Sequence, residues 1–171
     1  MDSFVVFIRS LNVGKKNIVD IDELIKIFNA DGLVRVRSFG VKGTFIVDSD
    51  IEKEEVKMLV EDILIEEFNI TTICRVIELE ELRKNISLDL FPEYIGERVF
   101  VSLVDNRFEF PVGYLNEKED ITILEVIDEI VITCVLMTSG KTPDVNYFLE
   151  DLSKSGVVTR DINTIKRILG E

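Results

Sequence analysis

The chain has 171 residues, of which 46% are hydrophobic and 31% charged, and its formal net charge is −13. This composition is typical of a globular protein with one domain or two small ones, and the negative charge disfavours general binding to nucleic acids. The sequence contains no histidine, the commonest metal ligand and general base. We therefore expect no metal site and no cofactor, and we name no catalytic residue; whether the protein is an enzyme stays open.

The apolar segments are all too short to cross a membrane. None approaches the roughly 20 residues that a spanning helix needs, and the N-terminus lacks the pattern of a signal peptide. We therefore expect a cytoplasmic protein without a membrane partner.

The two cysteines, Cys74 and Cys134, each lie in an apolar, strand-like run. Buried reduced thiols are the favoured interpretation, and a disulfide is the alternative.

The first half of the chain predicts the order strand, helix, strand, strand, helix, strand. A continuous apolar run at 4–8 indicates a buried central strand, and Asp20 is placed to cap the helix that follows. After two alternating strands, Ser49 and Glu52 have the spacing of a capping box and are predicted to open the second helix. This order is that of a ferredoxin-like plait, the split β-α-β arrangement.

The second half predicts a similar order after a short connecting helix. Its first helix is weak, since residues 110–120 indicate an irregular segment or a single turn. Thr142 is predicted to cap a later helix with Pro143 at its first position. We therefore predict an α+β protein of two tandem ferredoxin-like plaits packed together, 1–83 and 84–171, with a C-terminal helix.

Two glycine–lysine turns are predicted to meet at one end of the first plait. RSLNVGKKN (9–17) follows the first strand, and GVKG (40–43) joins the second and third strands. Glycines permit close approach, and backbone N–H groups together with flexible cations bind anions. We therefore predict a site for a small anionic, for example phosphorylated, ligand. Its residues are Arg9, Asn12, Gly14, Lys16, Asn17, Lys42 and Gly43, with Lys15 beside them.

Two stretches of the second half have a similar character. TSGKTP (138–143) precedes a helix, and TRDINTIKR (159–167) is basic, although ordinary helix capping is the favoured explanation for both. Arg160 and Asn163 of the second stretch are included as contributors to the predicted ligand site. An ordinary turn remains the competing interpretation of 9–17, since Gly14 then only supplies a positive φ.

Three stretches resemble the family known as domain of unknown function 1697. Its members follow their first strand with Arg-Gly-Ile-Asn-Val-Gly-Gly-Lys-Asn, where this chain has RSLNVGKKN at 9–17. The family's Ser-Gly-Asn hairpin corresponds to Lys42, Gly43 and Thr44, and its Thr-Arg-Asn-Trp-Asn-Thr corresponds to TRDINT at 159–164. The resemblance covers nearly the whole chain. It implies two packed ferredoxin-like units and supplies no activity.

The leading hypothesis is therefore a cytoplasmic protein that binds a small anion at one end of the first plait. The alternative is a structural or protein-interaction module without a small-molecule ligand, which recruits a protein partner through an exposed sheet edge or an acidic helix face. That face comprises Glu54, Glu55, Glu61, Asp62, Glu66 and Glu67. RNA binding is disfavoured, because the middle strands lack aromatic residues on a basic surface.

Overall fold

The computed structural model describes residues 1–86, 97–137 and 140–170. The chain divides into two compact units, Met1–Ile86 and Ser87–Gly170. The described residues form eight strands and five helices, and each unit contains one four-stranded antiparallel sheet. The protein is therefore of the α+β class.

The first unit has a sheet with helices between its strands. The sheet order is β2-β3-β1-β4, and every neighbouring pair is antiparallel. The central strand β1 ends in five consecutive buried residues, as the continuous apolar run at 4–8 predicts. The elements are β1 (Asp2–Ile8), α1 (Ile21–Ala30), β2 (Val34–Ser38), β3 (Thr44–Ser49), α2 (Lys53–Phe68), β4 (Cys74–Glu78) and α3 (Leu79–Asn85).

The core of the first unit lies between one sheet face and the helices α1 and α2. Alternate residues of β1 and β3 join the apolar stripes of the two helices in one cluster. Phe28 of α1 meets Phe45 of β3 edge to face, with ring centroids 5.4 Å apart. Burying a side chain of this size stabilises the fold by about 1.5–3 kcal/mol. This packing fixes where the loops at the ends of β1 and β3 emerge.

The helix α2 begins later than the capping-box spacing of Ser49 predicts, so that prediction is wrong. Ser49 is the last residue of β3 and pairs with Asp2 of β1, which keeps it extended and buried. Glu52 is the N-cap instead, and the carboxylate of Glu55 accepts a hydrogen bond from its backbone N–H at 3.0 Å. Sheet pairing therefore outweighed a local capping signal.

The second unit has the same strand order without the first helix. Its sheet runs β6-β7-β5-β8, again with antiparallel neighbours. Residues 104–120, which the structure describes throughout, contain turns and no helix. The elements are β5 (Glu97–Leu103), β6 (Ile121–Ile127), β7 (Ile130–Leu136), α4 (Val145–Ser153), β8 (Val158–Asp161) and α5 (Ile162–Leu169).

The helix α4 is capped by Asp144, so the prediction of Thr142 as its cap is wrong. The Asp144 carboxylate accepts a hydrogen bond from the Tyr147 N–H at 3.0 Å. The Thr142 hydroxyl accepts one from the Arg98 guanidinium at 3.2 Å. Aspartate caps a helix as well as threonine does, and burial of Val145 in the core favours the later start.

Both cysteines are free thiols, as the favoured interpretation has it. Cys74 is buried in β4, whereas Cys134 on β7 is only half-buried.

The longest helix of the described ranges is α2, with 16 residues. No helix in these ranges has the length and apolar character needed to cross a membrane.

Candidate functional site

The two glycine–lysine turns lie side by side, as the predicted topology requires. The side-chain amide of Asn12 donates a hydrogen bond to the backbone carbonyl of Val41 at 2.6 Å, although 29 residues separate them in sequence. The end of β1 is also joined to the second turn, because the Ile8 N–H donates to the Gly43 carbonyl at 2.8 Å. One turn is therefore anchored to the other, and we call the pair the lysine turns (residues 12–18 and 40–43).

The first lysine turn is a tight hairpin. The Asn12 N–H donates to the Asn17 carbonyl at 2.9 Å, and the Lys16 N–H donates to the Val13 carbonyl at 2.9 Å. Asn12, Gly14 and Asn17 adopt positive φ values of 52°, 58° and 51°. Asparagine and glycine tolerate this left-handed conformation better than other residues, which is why the local sequence folds as it does.

The side chains of both asparagines hold the loop together. The Asn12 side-chain oxygen accepts a hydrogen bond from the Val19 N–H at 2.8 Å, so both polar atoms of this side chain are used. The Asn17 amide donates to the Ser10 carbonyl at 3.0 Å. These two predicted site residues therefore position the turn, because their side chains form hydrogen bonds with backbone groups.

Gly43 is required by close packing at the end of β1. A Cβ at this position would lie 2.9 Å from the Cβ of Ile8 and 3.0 Å from its carbonyl oxygen, and its φ is 93°. A Cβ contact shorter than 3.0 Å is essentially absent from real proteins, so a side chain here forces its surroundings to shift. Gly43 thus sets the distance between the second lysine turn and β1.

The cations of the predicted site stand around this anchored pair of turns. Lys15 and Lys16 are exposed at the hairpin tip, and Lys42 is exposed on the second turn. Arg9 is half-buried, its N–H donates to the Ile73 carbonyl at 2.9 Å, and its carbonyl accepts from the Thr72 hydroxyl at 2.6 Å. Three exposed lysines therefore stand at one end of the sheet, on two turns that hydrogen bonds join.

An open depression of about 630 Å³ lies next to the lysine turns. Asp20 and Asp22 contribute carboxylates to it, and the turns contribute Asn12 and Val41. The Asp20 carboxylate also accepts hydrogen bonds from the N–H groups of Asp22 at 3.0 Å and Glu23 at 3.4 Å. The N-terminus of α1 is therefore already capped by an acid, which disfavours an anion in this depression.

Arg160 and Asn163 belong to the second unit. The Arg160 guanidinium donates to the Thr159 carbonyl at 3.0 Å, and the Asn163 N–H donates to the Asp161 carboxylate at 2.8 Å. Asp161 also accepts from the Arg98 guanidinium at 2.5 Å. The bond between the Asn163 N–H and Asp161 is helix capping, the favoured explanation of this stretch.

TSGKTP, the other basic stretch, falls partly outside the described residues, because residues 138 and 139 are not among them.

A separate cleft of about 300 Å³ lies in the second unit. Its lining contains one cation, Lys118, and four carboxylates, from Glu117, Asp120, Asp144 and Asp151. Its charge disfavours an anionic ligand. Within the described ranges, no group of three or more metal-ligating side chains is placed to hold an ion.

The interpretation of the sequence missed the apolar residues of the lysine turns. Val13, Ile18 and Val41 are exposed, although each is adjacent in the chain to a residue of the hydrogen-bonded loop. Their presence in turns rich in Gly, Asn and Lys was the available signal, because β-branched residues are uncommon in such turns.

Comparisons with known proteins give a family and a fold. A family model described as protein of unknown function (DUF1697) matches residues 1–117, which include both lysine turns and end before TRDINT at 159–164. The solved structure of a conserved bacterial protein from Streptococcus pneumoniae is similar over 99% of this chain and 97% of its own. The TM-score is 0.73 at 17% sequence identity, which indicates a shared fold. No curated protein matches the chain significantly.

Proposed function

Because the chain belongs to the DUF1697 family of proteins of unknown function, its role has to be inferred from the site, and we propose that it binds a small anionic ligand at the lysine turns. The observation that carries the proposal is the hydrogen bond from the Asn12 amide to the Val41 carbonyl. It joins the turn that bears Lys15 and Lys16 to the turn that bears Lys42.

Electrostatics favour an anion at this place. The chain as a whole carries a net charge of −13, so a group of three exposed lysines stands out against its surroundings. The hydrogen-bonded turns fix the lysine backbones before the ligand arrives, which lowers the entropic cost of binding. Asp20 and Asp22 border the neighbouring depression and confine the anion to the lysine side.

Titration of inorganic phosphate and methyl phosphate at low ionic strength tests the proposal. Lys16→Ala and Lys42→Ala are each expected to weaken binding roughly fivefold, about 1 kcal/mol, as for a solvent-screened charge contact. Lys26→Ala removes another exposed lysine, from α1, and is the matched control. If Lys26→Ala weakens binding as much as the turn variants do, the affinity reflects overall charge and the assignment fails.

We also propose that the two units, Met1–Ile86 and Ser87–Gly170, are the ferredoxin-like plaits that the sequence predicts at 1–83 and 84–171, and that the protein is cytoplasmic. The order β-α-β-β-α-β and the sheet order β2-β3-β1-β4 support this for the first unit. The equivalent sheet order β6-β7-β5-β8 supports it for the second. Hydrogen exchange that gives a separate unfolding free energy for each half would agree with two independent domains.

A protein-interaction role is the second candidate, and α2 supplies the observation that favours it. Met58 and Ile65 are 61% and 48% exposed and lie two helical turns apart on one side of this acidic helix. Such a face suits a basic, amphipathic segment of a partner. A partner that is lost with Met58→Ser plus Ile65→Ser and retained with Lys16→Ala would support this role; retention with both variants would refute it.

A further inference from the structure

Apolar side chains stand next to the lysines on both lysine turns, and from this we propose that the ligand is amphipathic, a phosphate monoester or similar anion that carries an apolar group. This inference rests on the proposed anion site and specifies its ligand class. Val13, Ile18 and Val41 are 49%, 62% and 58% exposed. None of them belongs to the core cluster of the first unit.

Asn12 brings these three residues together. Val13 follows it in the chain, and the Val41 carbonyl accepts its side-chain hydrogen bond at 2.6 Å. Ile18 immediately precedes Val19, whose N–H donates to the Asn12 side-chain oxygen at 2.8 Å. Each apolar residue is therefore at most one residue away from a group bonded to Asn12, which places all three on the joined lysine turns.

Each turn also pairs an apolar residue with a cation. Val13 and Lys16 face each other across the hairpin as a β-bridge, and Lys42 follows Val41 directly. Both turns therefore carry an exposed valine beside an exposed lysine. Apolar patches rimmed by charged residues mark binding surfaces, whereas isolated exposed apolar residues need no explanation.

The acidic depression sets the orientation of the ligand. Val41 lines it together with Asp20 and Asp22. The two carboxylates repel the phosphate, so the phosphate lies at Lys15 and Lys16 and the apolar group extends over Val41. A purely polar anion such as inorganic phosphate gains nothing from these apolar side chains.

A chain-length series measures the apolar contribution. Methyl phosphate and butyl phosphate are titrated against the full-length protein by calorimetry. Each fully buried methylene strengthens binding about fourfold. Since the surface is open and buries the chain only partly, we expect butyl phosphate to bind about tenfold more tightly than methyl phosphate. Vesicles containing phosphatidic acid form a second arm, which distinguishes a lipid headgroup from a free ester.

The variant Val13→Ser, Ile18→Ser, Val41→Ser is expected to abolish the gain from the butyl chain, so that its affinities for methyl phosphate and butyl phosphate become equal. Val112→Ser removes a 64% exposed valine of the second unit and is the matched control. Val41→Ser alone, expected to remove part of the gain, tests the proposal even where the triple variant folds poorly. Loss of the gain in Val112→Ser would overturn it.

The outcomes separate the inference from the proposed function. Equal affinities for methyl and butyl phosphate overturn the amphipathic ligand and leave the anion site standing. No binding of either ester and no binding of the vesicles overturns both. Binding of phosphatidic acid vesicles alone, if it weakens in the triple variant, supports the inference with a lipid as the source of the anion.

Discussion

Replacement of Asn12 tests the residue that joins the lysine turns. Its amide donates to the Val41 carbonyl at 2.6 Å, and its oxygen accepts from the Val19 N–H at 2.8 Å. Its backbone is left-handed, with φ of 52°. Asn12→Ala removes both hydrogen bonds and places a residue with a poor left-handed preference at this position. We expect it to destabilise the first unit and to disconnect the two turns.

The magnitude follows from these contacts. Two hydrogen bonds contribute about 1 kcal/mol each, and the left-handed conformation costs alanine about 1 kcal/mol more than asparagine. Asn12→Ala should therefore lower the free energy of unfolding of the first unit by about 3 kcal/mol. Asn12→Gly loses the same bonds without the conformational cost and should lose about 2 kcal/mol. Asn12→Asp keeps the acceptor for Val19, but its second carboxylate oxygen then faces the Val41 carbonyl oxygen, so it should not restore the wild-type stability.

Native-state hydrogen exchange is the suitable assay, because it reports each unit separately. The amides of β1 report global opening of the first unit, and the Val19 amide reports the loop. Asn29→Ala, an exposed asparagine of α1, is the matched control and should change stability by less than about 0.5 kcal/mol. If Asn12→Ala and Asn12→Gly both stay within that range, the side-chain hydrogen bonds do not hold the turns, and the basis of the proposed site is lost.

Three further predictions follow from individual contacts. Gly43→Ala should cost about 3 kcal/mol in chemical denaturation, from left-handed strain plus overpacking against Ile8, and a loss below about 1 kcal/mol would contradict the packing argument. Asp22→Asn should strengthen phosphate binding at the lysine turns roughly twofold by removing a repulsive charge; weaker binding in calorimetry would place the anion elsewhere. Burial, followed by a hydrogen bond with Glu97, raises the pKa of Cys134 from 9.0 to about 11. The Cys134 thiol therefore keeps its proton up to a higher pH in the folded state than in the unfolded state. The contribution of the protonated thiol to the free energy of unfolding is complete below pH 9.0 and is lost as the pH rises to about 11. The pH dependence of the alkylation of this thiol, measured by peptide mass spectrometry, should shift to lower pH in Glu97→Gln. An unchanged pH profile would show that the Glu97 carboxylate does not raise the pKa of Cys134.

Several local features of the fold were predictable because their causes are local. The continuous apolar run at 4–8 indicated a strand buried on both faces, and β1 is central. Asp20 was correctly predicted as the cap of α1, since a carboxylate before an amphipathic segment satisfies its first N–H groups. Ser49 and Thr142, which were wrongly predicted as helix caps, both have side chains that are able to cap a helix. Pairing of β3 with β1 and the contacts of α4 with its core decided which nearby residue was used.

In the candidate site, too, the sequence determines some features and the tertiary structure determines the others. The sequence alone determined that lysine, glycine and asparagine occupy two turns, and the strand order it predicted put those turns at one end of the sheet. Only the tertiary structure decided what each residue does there. Asn12 and Asn17 bond to backbone, Gly43 lies against Ile8, and Val13, Ile18 and Val41 remain exposed. The contacts of Asn12 with Val41 and of Gly43 with Ile8 join segments about 30 residues apart, whose distances are set by core packing and not by any local pattern of residues.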